Sequence, residues 1–498
     1  MNFLILDVGT SSMRGILFRE DGKLLHTVQK EYQVLALEHG WVEQNPLDFK
    51  DSMTEIVSRT AAWAQQEGES IDAVALTSQR SSVIPLDREG NPLSNAQMWQ
   101  DKRTVPLGAS MEQYHREIFE LCGSRVNPVF SGIKMKWIRQ NQPDIYEKAY
   151  KLAVIPDYLV YHMTGSFCTD YTYGSRSLLM NLKDCRWDKR LLELFDVEEE
   201  KLCELKAPGS IMGCTTKEFA ELTGLKEGTP VISAGGDQQC GMLGQGAVKQ
   251  GQISLTLGTG GFLLTPCESV PDRLDWDVVC NASSAGGYIL EANMLTCTSA
   301  MEWMKRSFFR EEKDFYGKLN EILGTVPAGA HGCMILPYFQ GRSTPDWNSQ
   351  ATALFSGITL NTSREDMLKA LLEGIAMEIA NNISSFESYV PVEKILISGG
   401  LSKSEAFNRM QANIYGKPVI RTDNPESTAV GALLVASAAM GRYASVEEAY
   451  EAVKEDGNPV IYEPDPEEHE KYRELQQKMN LLYKENFGKR GIAFPGDL

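Results

Sequence analysis

A carboxylate followed at once by glycine and hydroxyl residues is the first candidate site. Residues 7–12 read Asp-Val-Gly-Thr-Ser-Ser and follow an apolar run. The glycine allows close backbone approach to a ligand, and the hydroxyls of Thr10 and Ser11, with nearby N–H groups, can line an anion-binding concavity. Asp7, at the end of the predicted strand, suits a hydrated Mg²⁺ ion. The alternative is an ordinary hairpin turn with satisfied hydroxyl groups.

A second turn of similar chemistry lies about half a chain later. Residues 258–261 read Gly-Thr-Gly-Gly and separate two apolar runs, at 253–257 and 262–264. Two such turns, each at the start of its own half of the chain, can face one another and clamp a polyphosphate. The sequence contains no Walker A motif, so this is not a P-loop.

A third candidate is the segment at 231–239, Val-Ile-Ser-Ala-Gly-Gly-Asp-Gln-Gln. It can present Asp237 at a strand end, where open α/β sheets bind their ligands. A carboxylate there could accept a hydroxyl proton while that hydroxyl attacks phosphorus. Gln238 could then hydrogen-bond a substrate hydroxyl. The alternative, which an isolated aspartate would favour, is a residue that caps the next helix.

The elements that must position these residues form two similar halves. The sequence around each turn predicts a strand, a tight Gly/Thr turn and a second strand. Each of these units would form the beginning of a domain built on a β-sheet. Helices fill the spaces between strands: Ser363 is a predicted N-cap, and a helix is predicted between Asp465 and Gly488. The Gly-rich stretch at 244–251 suits a hinge. We therefore predict an α/β protein of two comparable halves.

Composition limits the classes of function. The 498 residues carry 49 Lys+Arg and 67 Asp+Glu, a net charge of −18, which argues against a nucleic-acid partner. No apolar run approaches the ~20 residues of a membrane-spanning helix. The start of the chain has neither a basic leader nor a cleavage site, which argues against a signal peptide. Ten scattered cysteines without a CxxC pair predict reduced thiols and a cytoplasmic protein.

Together, the motifs at 7–12, 236–239, 258–260 and 398–401 resemble the FGGY family of carbohydrate kinases. The resemblance extends from residue 4 to about residue 441, and segments at 40–46, 77–80, 99–103, 131–137 and 353–358 match in the same order. It implies two actin-like (ribonuclease H-like) domains with a central cleft. Residues 1–246 would bind the sugar and supply the catalytic base. Residues 247–498 would bind the nucleotide and end in a C-terminal helix.

The resemblance also implies roles for individual residues. Asp237 matches the catalytic base, and Asp7 matches the carboxylate associated with Mg²⁺. Positions that match phosphate, adenosine or nucleotide contacts are Thr10, Ser11, Arg14, Gly258, Thr259, Gly260, Gly400 and Ser404. Positions that match the substrate pocket are Arg80, Ser81, Trp99 and Gln238. The implied cofactors are ATP and Mg²⁺, and the implied partner is a small sugar or polyol, with a homodimer common in the family.

The implied activity is transfer of the γ-phosphoryl group of ATP to a sugar or polyol hydroxyl. Glycerol kinases carry a glutamate where this chain has Ser81 and a tyrosine where it has Val129. A pocket without those polar partners should bind glycerol poorly. Xylulokinases carry Met-His where this chain has Arg80-Ser81, which argues against D-xylulose as well. A larger polyol or another ketose is therefore expected. The alternatives are a catalytically silent sugar sensor on a kinase scaffold and an actin- or chaperone-like ATPase.

Overall fold

The first large sheet carries the N-terminal turn. The structure is a computed structural model that describes residues 1–422, 424–454 and 459–488. The six strands of this sheet lie in the order Ile211–Cys214, Pro230–Gly236, Ala73–Ser78, Asn2–Val8, Ser12–Arg19 and Leu24–Glu31. The central three are parallel to one another, and the remaining neighbours pair in antiparallel fashion.

Both faces of this sheet are buried. Leu4 and Leu6 pack with Phe49 of the Pro46–Glu67 helix on one face. Phe3 and Ile5 pack within a different apolar cluster on the other face. A strand that is covered on both sides reads as a continuous apolar run, which explains the uninterrupted Phe-Leu-Ile-Leu at the start of the chain.

The second large sheet has seven strands and carries the second turn. Their order is Val279–Ala282, Tyr288–Met294, Gly261–Cys267, Gly251–Leu257, Val392–Gly399, Val419–Arg421 and Val460–Tyr462. Both predicted strand–turn–strand units are confirmed: the first is Asn2–Val8 with Ser12–Arg19, and the second is Gly251–Leu257 with Gly261–Cys267.

Smaller sheets complete the strand structure. One has five strands in the order Leu35–Ala36, Val42–Gln44, Ala96–Gln97, Val83–Leu86 and Lys151–Val154. Three strand pairs join Cys168–Asp170 to Glu204–Lys206, Met180–Asn181 to Arg186–Trp187, and Met334–Leu336 to Leu354–Ser356.

Helices cover the sheets. Up to residue 244 they are Pro46–Glu67, Val105–Ser110, His115–Cys122, Ser131–Asn141, Pro143–Lys148, Ile155–Thr164, Tyr171–Ser175, Lys189–Phe195, Lys217–Thr223 and Asp237–Gly244. Later ones are Thr298–Phe308, Phe315–Thr325, Arg364–Glu387, Glu405–Tyr415, Ser427–Ala439, Val446–Val453 and Pro466–Phe487. The predicted caps Ser363 and Asp465 are confirmed. The predicted C-terminal domain also includes residues 489–498, which lie outside the described part. No helix in the described ranges has the length and apolarity to span a bilayer.

Two helices lie between the large sheets and contact each other through glycines. The Asp237–Gly244 and Ser427–Ala439 helices belong to an apolar cluster that also contains residues of both sheets. A Cβ built on Gly431 would lie 1.8 Å from the carbonyl oxygen of Cys240, and one on Gly244 would lie 1.8 Å from that of Ser427. The helices can approach this closely only because both positions lack a side chain.

Candidate active site

Strand register in the first sheet brings the predicted residues to one edge. Val8 and Ser78 are partners in parallel register, as are Ser78 and Gly236, and each is the last residue of its strand. The turn at 9–11 and Asp237 follow these ends directly. Since the carboxyl edge of an open α/β sheet is where ligands bind, separate sequence motifs converge there on one place.

The first turn leaves its hydroxyl groups beside the open edge. The Gly9 N–H donates to the Ser12 carbonyl at 3.0 Å and closes the turn. The indole N–H of Trp99 donates to the Thr10 hydroxyl at 3.1 Å, and Trp99 is 37 % exposed. Ser11 is exposed. The turn is therefore fixed by the protein, with hydroxyl groups left where a ligand can reach them.

Arg14 links two acids that lie far apart in the sequence. Its guanidinium donates to Asp7 at 2.7 Å and lies 2.8 Å from the carboxylate of Glu426, just before the Ser427–Ala439 helix. Burial alone would lower the pKa of Arg14, but these two carboxylates outweigh it and raise the pKa. Burial raises the pKa of Glu426 despite the pairing with Arg14. An arginine so placed can exchange a carboxylate partner for a phosphate group.

The second turn lies at the matching edge of the second sheet. Leu257 and Gly399 are partners in parallel register, so the turn at 258–260 and the segment that begins at Gly400 leave the sheet together. The Gly258 N–H donates to the Gly260 carbonyl at 3.0 Å. A Cβ on Gly260 would lie 2.5 Å from the Met294 carbonyl oxygen, so only glycine fits there without a shift.

A helix start fixes the outer side of this turn. The backbone N–H groups of Cys297 and Thr298 donate to the carbonyls of Thr259 and Gly258, at 2.8 and 2.9 Å. Thr259 itself is exposed. The carbonyls of the turn therefore point to the protein, while the Thr259 side chain is left to solvent.

The two predicted adenosine contacts differ in their surroundings. A Cβ built on Gly400 would meet no atom within 4 Å, so the space beside that residue is open. Ser404 caps the Glu405–Tyr415 helix: its hydroxyl accepts from the Phe407 N–H at 3.2 Å and donates to Asn320 at 2.8 Å. Ser404 therefore has a structural role, and its contact with adenosine stays a prediction.

Asp237 is the first residue of its helix and lies between charged groups. Its carboxylate accepts from the Gln238 N–H at 2.8 Å and lies 3.7 Å from Nε of Arg80. Burial is the largest influence on its pKa and, against the attraction of Arg80, raises it from 3.8 to about 6. Such a carboxyl group is ionised at neutral pH and is a stronger base than an ordinary aspartate.

Arg80 is held on its other side by Glu291, from the Tyr288–Met294 strand of the second sheet. Both terminal nitrogens of Arg80 donate to the Glu291 carboxylate at 3.1 Å, and Arg176 and Asn281 donate to it at 3.2 and 3.1 Å. Burial alone would raise the pKa of Glu291, but Arg176 and Arg80 outweigh it and lower the pKa to about 2. Glu291 is therefore ionised at neutral pH.

Two of the remaining predicted pocket residues, Ser81 and Gln238, lie close to this group. Ser81 is buried with a φ of 72°, and its hydroxyl donates to the Arg176 carbonyl at 3.4 Å. Gln238 is half-buried beside Asp237. Trp99 contacts the first turn instead, where its indole N–H donates to the Thr10 hydroxyl. Among the predicted residues, the structure thus pairs Asp7 with Arg14 and Thr10 with Trp99, and it places Arg80 and Gln238 beside Asp237.

Three acidic or basic residues of the site were not predicted from the sequence: Arg176, Glu291 and Glu426. One signal was available for Glu291, because it is the single charged residue in the strand Tyr-Ile-Leu-Glu-Ala-Asn-Met. A lone carboxylate in an apolar strand needs a partner when buried. Arg176 and Glu426 carry no comparable local signal.

The carboxylate geometry bears on which metals can bind. In the described ranges, no three His, Cys, Asp or Glu side chains are grouped so that they could hold a metal ion by themselves. Mg²⁺ in phosphoryl-transfer sites typically uses one or two carboxylates together with substrate phosphates and water. Asp7, which is buried at the strand end with Arg14 on Oδ2, fits that requirement.

Family models match most of the chain. The model described as the N-terminal domain of the FGGY family of carbohydrate kinases matches residues 2–244, and the corresponding C-terminal domain model matches residues 253–440. A glycerol kinase from Thermococcus kodakarensis is 31 % identical, with 94 % of each chain covered. A glycerol kinase from Mycoplasmoides gallisepticum is 30 % identical, with 97 % of each chain covered.

Solved structures share the fold. A ligand-bound xylulose kinase and a gluconate kinase, both from Lactobacillus acidophilus, each superpose with a TM-score of 0.90 at 24 % identity, with 99 % of both chains covered. A Plasmodium falciparum glycerol kinase with ADP gives a TM-score of 0.86 at 24 % identity, covering 96 % of this chain and 98 % of its own. The predicted α/β class with two actin-like domains is confirmed.

Proposed function

Because the chain belongs to the FGGY family of carbohydrate kinases and transfers a phosphoryl group from ATP to an alcohol, we propose that Asp237 is its general base. The observation that carries this proposal is the position of Asp237 directly after a parallel strand, with a pKa of about 6. Ionised at neutral pH, its carboxylate orients the acceptor hydroxyl and takes the proton as the oxygen attacks the γ-phosphorus.

We propose that the two turns bind the phosphate groups of ATP. Thr10 and Ser11 offer hydroxyls from the first sheet, and the turn at 258–260 with Thr259 offers them from the second. Arg14 would pair with phosphate oxygens. Asp7 would hold Mg²⁺, which when bound offsets negative charge on the β- and γ-phosphates. Gly400, which borders open space, and Ser404 would contact the adenosine.

We propose that the acceptor lies beside Asp237, against Arg80, Ser81, Trp99 and Gln238. The substrate is a sugar or polyol, and the relatives are named for glycerol, xylulose and gluconate. Ser81 is small and buried, so it provides neither the charge nor the reach of a glutamate. This supports a substrate longer than glycerol, because its additional atoms would fill the space that a glutamate at position 81 would occupy.

We also propose that each half of the chain binds a different substrate. Residues 1–246 would bind the acceptor, and residues 247–498 would bind the nucleotide. The protein would act in the cytoplasm as a homodimer. Support for a reducing compartment comes from the cysteines: all ten lie in the described ranges, and each is a free thiol. Light scattering would test the dimer. No contact among the described residues favours the silent-sensor alternative.

The test of this function is ADP release at fixed Mg-ATP across a panel of acceptors. The panel contains triols, tetritols, pentitols, ketopentoses, deoxyketoses, hexonates and linear dihydroxy-ketones, and each responding mixture is examined by mass spectrometry. We expect one strong responder whose product gains one phosphoryl group, with glycerol a poor substrate. ATP binding without turnover on any acceptor would contradict the proposal.

A further inference from the structure

Glu291 connects the second sheet to the proposed base through Arg80. The two residues lie 211 positions apart in the sequence, and the side chains of Arg80 and Glu291 are only 9 % and 10 % exposed. A buried ion pair is favourable only when hydrogen bonds satisfy its charged atoms. Four N–H donors from Arg80, Arg176 and Asn281 do so for the Glu291 carboxylate.

The way Arg80 is shared fixes its distance from Asp237. Both terminal nitrogens of the guanidinium are used by Glu291, and the side of the fork that remains presents Nε to Asp237 at 3.7 Å. That distance is longer than a hydrogen bond. The positive charge of Arg80 therefore stabilises the ionised form of Asp237, while the carboxylate oxygens of Asp237 form no hydrogen bond with the guanidinium.

The alternative arrangement would weaken the base. A direct bidentate pair between an arginine and a carboxylate is strong and geometrically rigid, and it would occupy the oxygens that must receive the substrate proton. It would also favour the ionised carboxylate and so lower its basicity. Competition for Arg80 therefore matters for Asp237.

We propose that Glu291 is a positioning residue for phosphoryl transfer: by binding both terminal nitrogens of Arg80, it prevents that guanidinium from forming a direct pair with Asp237. The proposal rests on the proposed function, in which Asp237 is the base. Glu291 acts on Asp237 in two ways: it holds Arg80, and its own negative charge disfavours the ionised form of Asp237. The groups that act electrostatically on or with Asp237 are Arg80, Asp7, Glu291, Arg176, Tyr173 and Cys240.

The test uses Glu291→Gln in the full chain, with Glu378→Gln as a matched control. Glu378 is another buried carboxylate that accepts two hydrogen bonds from one arginine, Arg342, at 2.7 and 3.0 Å, but it lies outside the proposed site. Initial rates are measured from pH 5 to 9 with D-gluconate and with the acceptor of the panel above that gives the highest rate. Crystal structures of the wild type and of Glu291→Gln give the distance from Arg80 to Asp237 without any substrate.

For Glu291→Gln we expect kcat to fall at least tenfold, and the acid limb of kcat/KM to move down by one pH unit or more. Both the lost negative charge and the approach of Arg80 favour the ionised Asp237. The KM for ATP should change less than twofold, and Glu378→Gln should keep the wild-type pH profile. In the crystal, a terminal nitrogen of Arg80 should lie within hydrogen-bond distance of Asp237.

A second variant covers the case in which Glu291→Gln does not fold. Glu291→Asp keeps the charge but is one methylene shorter, so it cannot hold both nitrogens in the same place, and the limb should move in the same direction by a smaller amount. The proposal is overturned if a folded variant retains the wild-type limb, or if Arg80 stays in place in the crystal. If the wild type phosphorylates none of the acceptors, the proposed substrates have failed, and the two crystal structures still decide the position of Arg80.

Discussion

Asp237→Asn is the substitution that tests the proposed base most directly. Asparagine keeps the size of the side chain but cannot accept a proton, so the variant should lose the 10²- to 10⁴-fold that general-base catalysis typically contributes. The magnitude also has a pH signature. With a pKa of about 6, Asp237 is about nine-tenths ionised at pH 7 and about one-tenth ionised at pH 5.

The sign of the pH effect follows from the form that works. The ionised carboxylate accepts the proton, so kcat/KM should rise with pH through about 6 and become flat above pH 7. Burial raises the pKa from 3.8 by about two units, which corresponds to about 3 kcal/mol between the two protonation states. Glu291, with a pKa of about 2, stays ionised across this range and contributes no limb.

The assay is ADP release under saturating Mg-ATP, with nucleotide affinity measured separately by calorimetry. Asp237→Asn should bind ATP within about threefold of the wild type, because removal of a base should leave the phosphate contacts intact. Asp144→Asn, at an exposed position of the Pro143–Lys148 helix, is the matched control. A pure Asp237→Asn preparation that keeps more than a tenth of wild-type kcat, or that keeps the same acid limb, would refute the assignment.

Three further predictions concern phosphate binding and stability. Arg14→Met should raise the KM for ATP about tenfold or more, since a hydrogen bond to a charged group contributes about 1.5–3 kcal/mol, and an unchanged KM would exclude Arg14 from the phosphate site. Gly431→Ala should cost about 3 kcal/mol by overpacking against the Cys240 carbonyl, read as a lower melting temperature. Gly324→Ala is the control, because Gly324 is exposed and a Cβ there would meet no atom within 4 Å. Ser363→Ala removes a capping box and should cost about 1 kcal/mol in urea unfolding; no loss would show that the cap is dispensable.

The sequence was sufficient for the features that depend on neighbouring residues. The two turns could be located because each combines an apolar run, glycine and hydroxyls within ten residues. Asp237 could be placed at a strand end because Gly235 and Gly236 follow a short apolar run. The parallel strands Asn2–Val8, Ala73–Ser78 and Pro230–Gly236 end at the same edge of the sheet, and this register brings motifs that are distant in sequence together.

Ion pairs between residues that are far apart in the sequence could not be predicted. Arg80 was expected to face the substrate, and the structure adds that both of its terminal nitrogens donate to Glu291, 211 positions away. Glu426 meets Arg14 across 412 positions. Such pairs depend on how the two sheets face each other, and no local period or spacing encodes that.

The glycine contact between the Asp237–Gly244 and Ser427–Ala439 helices has a consequence for how this protein can evolve. One helix carries the proposed base and the other begins beside the acid that binds Arg14. Since the smallest added side-chain atom at Gly244 or Gly431 would collide with the backbone of the facing helix, we expect a mutation there to push the two helices apart. A substitution in the acceptor pocket can change one side chain at a time. A substitution at this helix contact would need compensating substitutions in both helices.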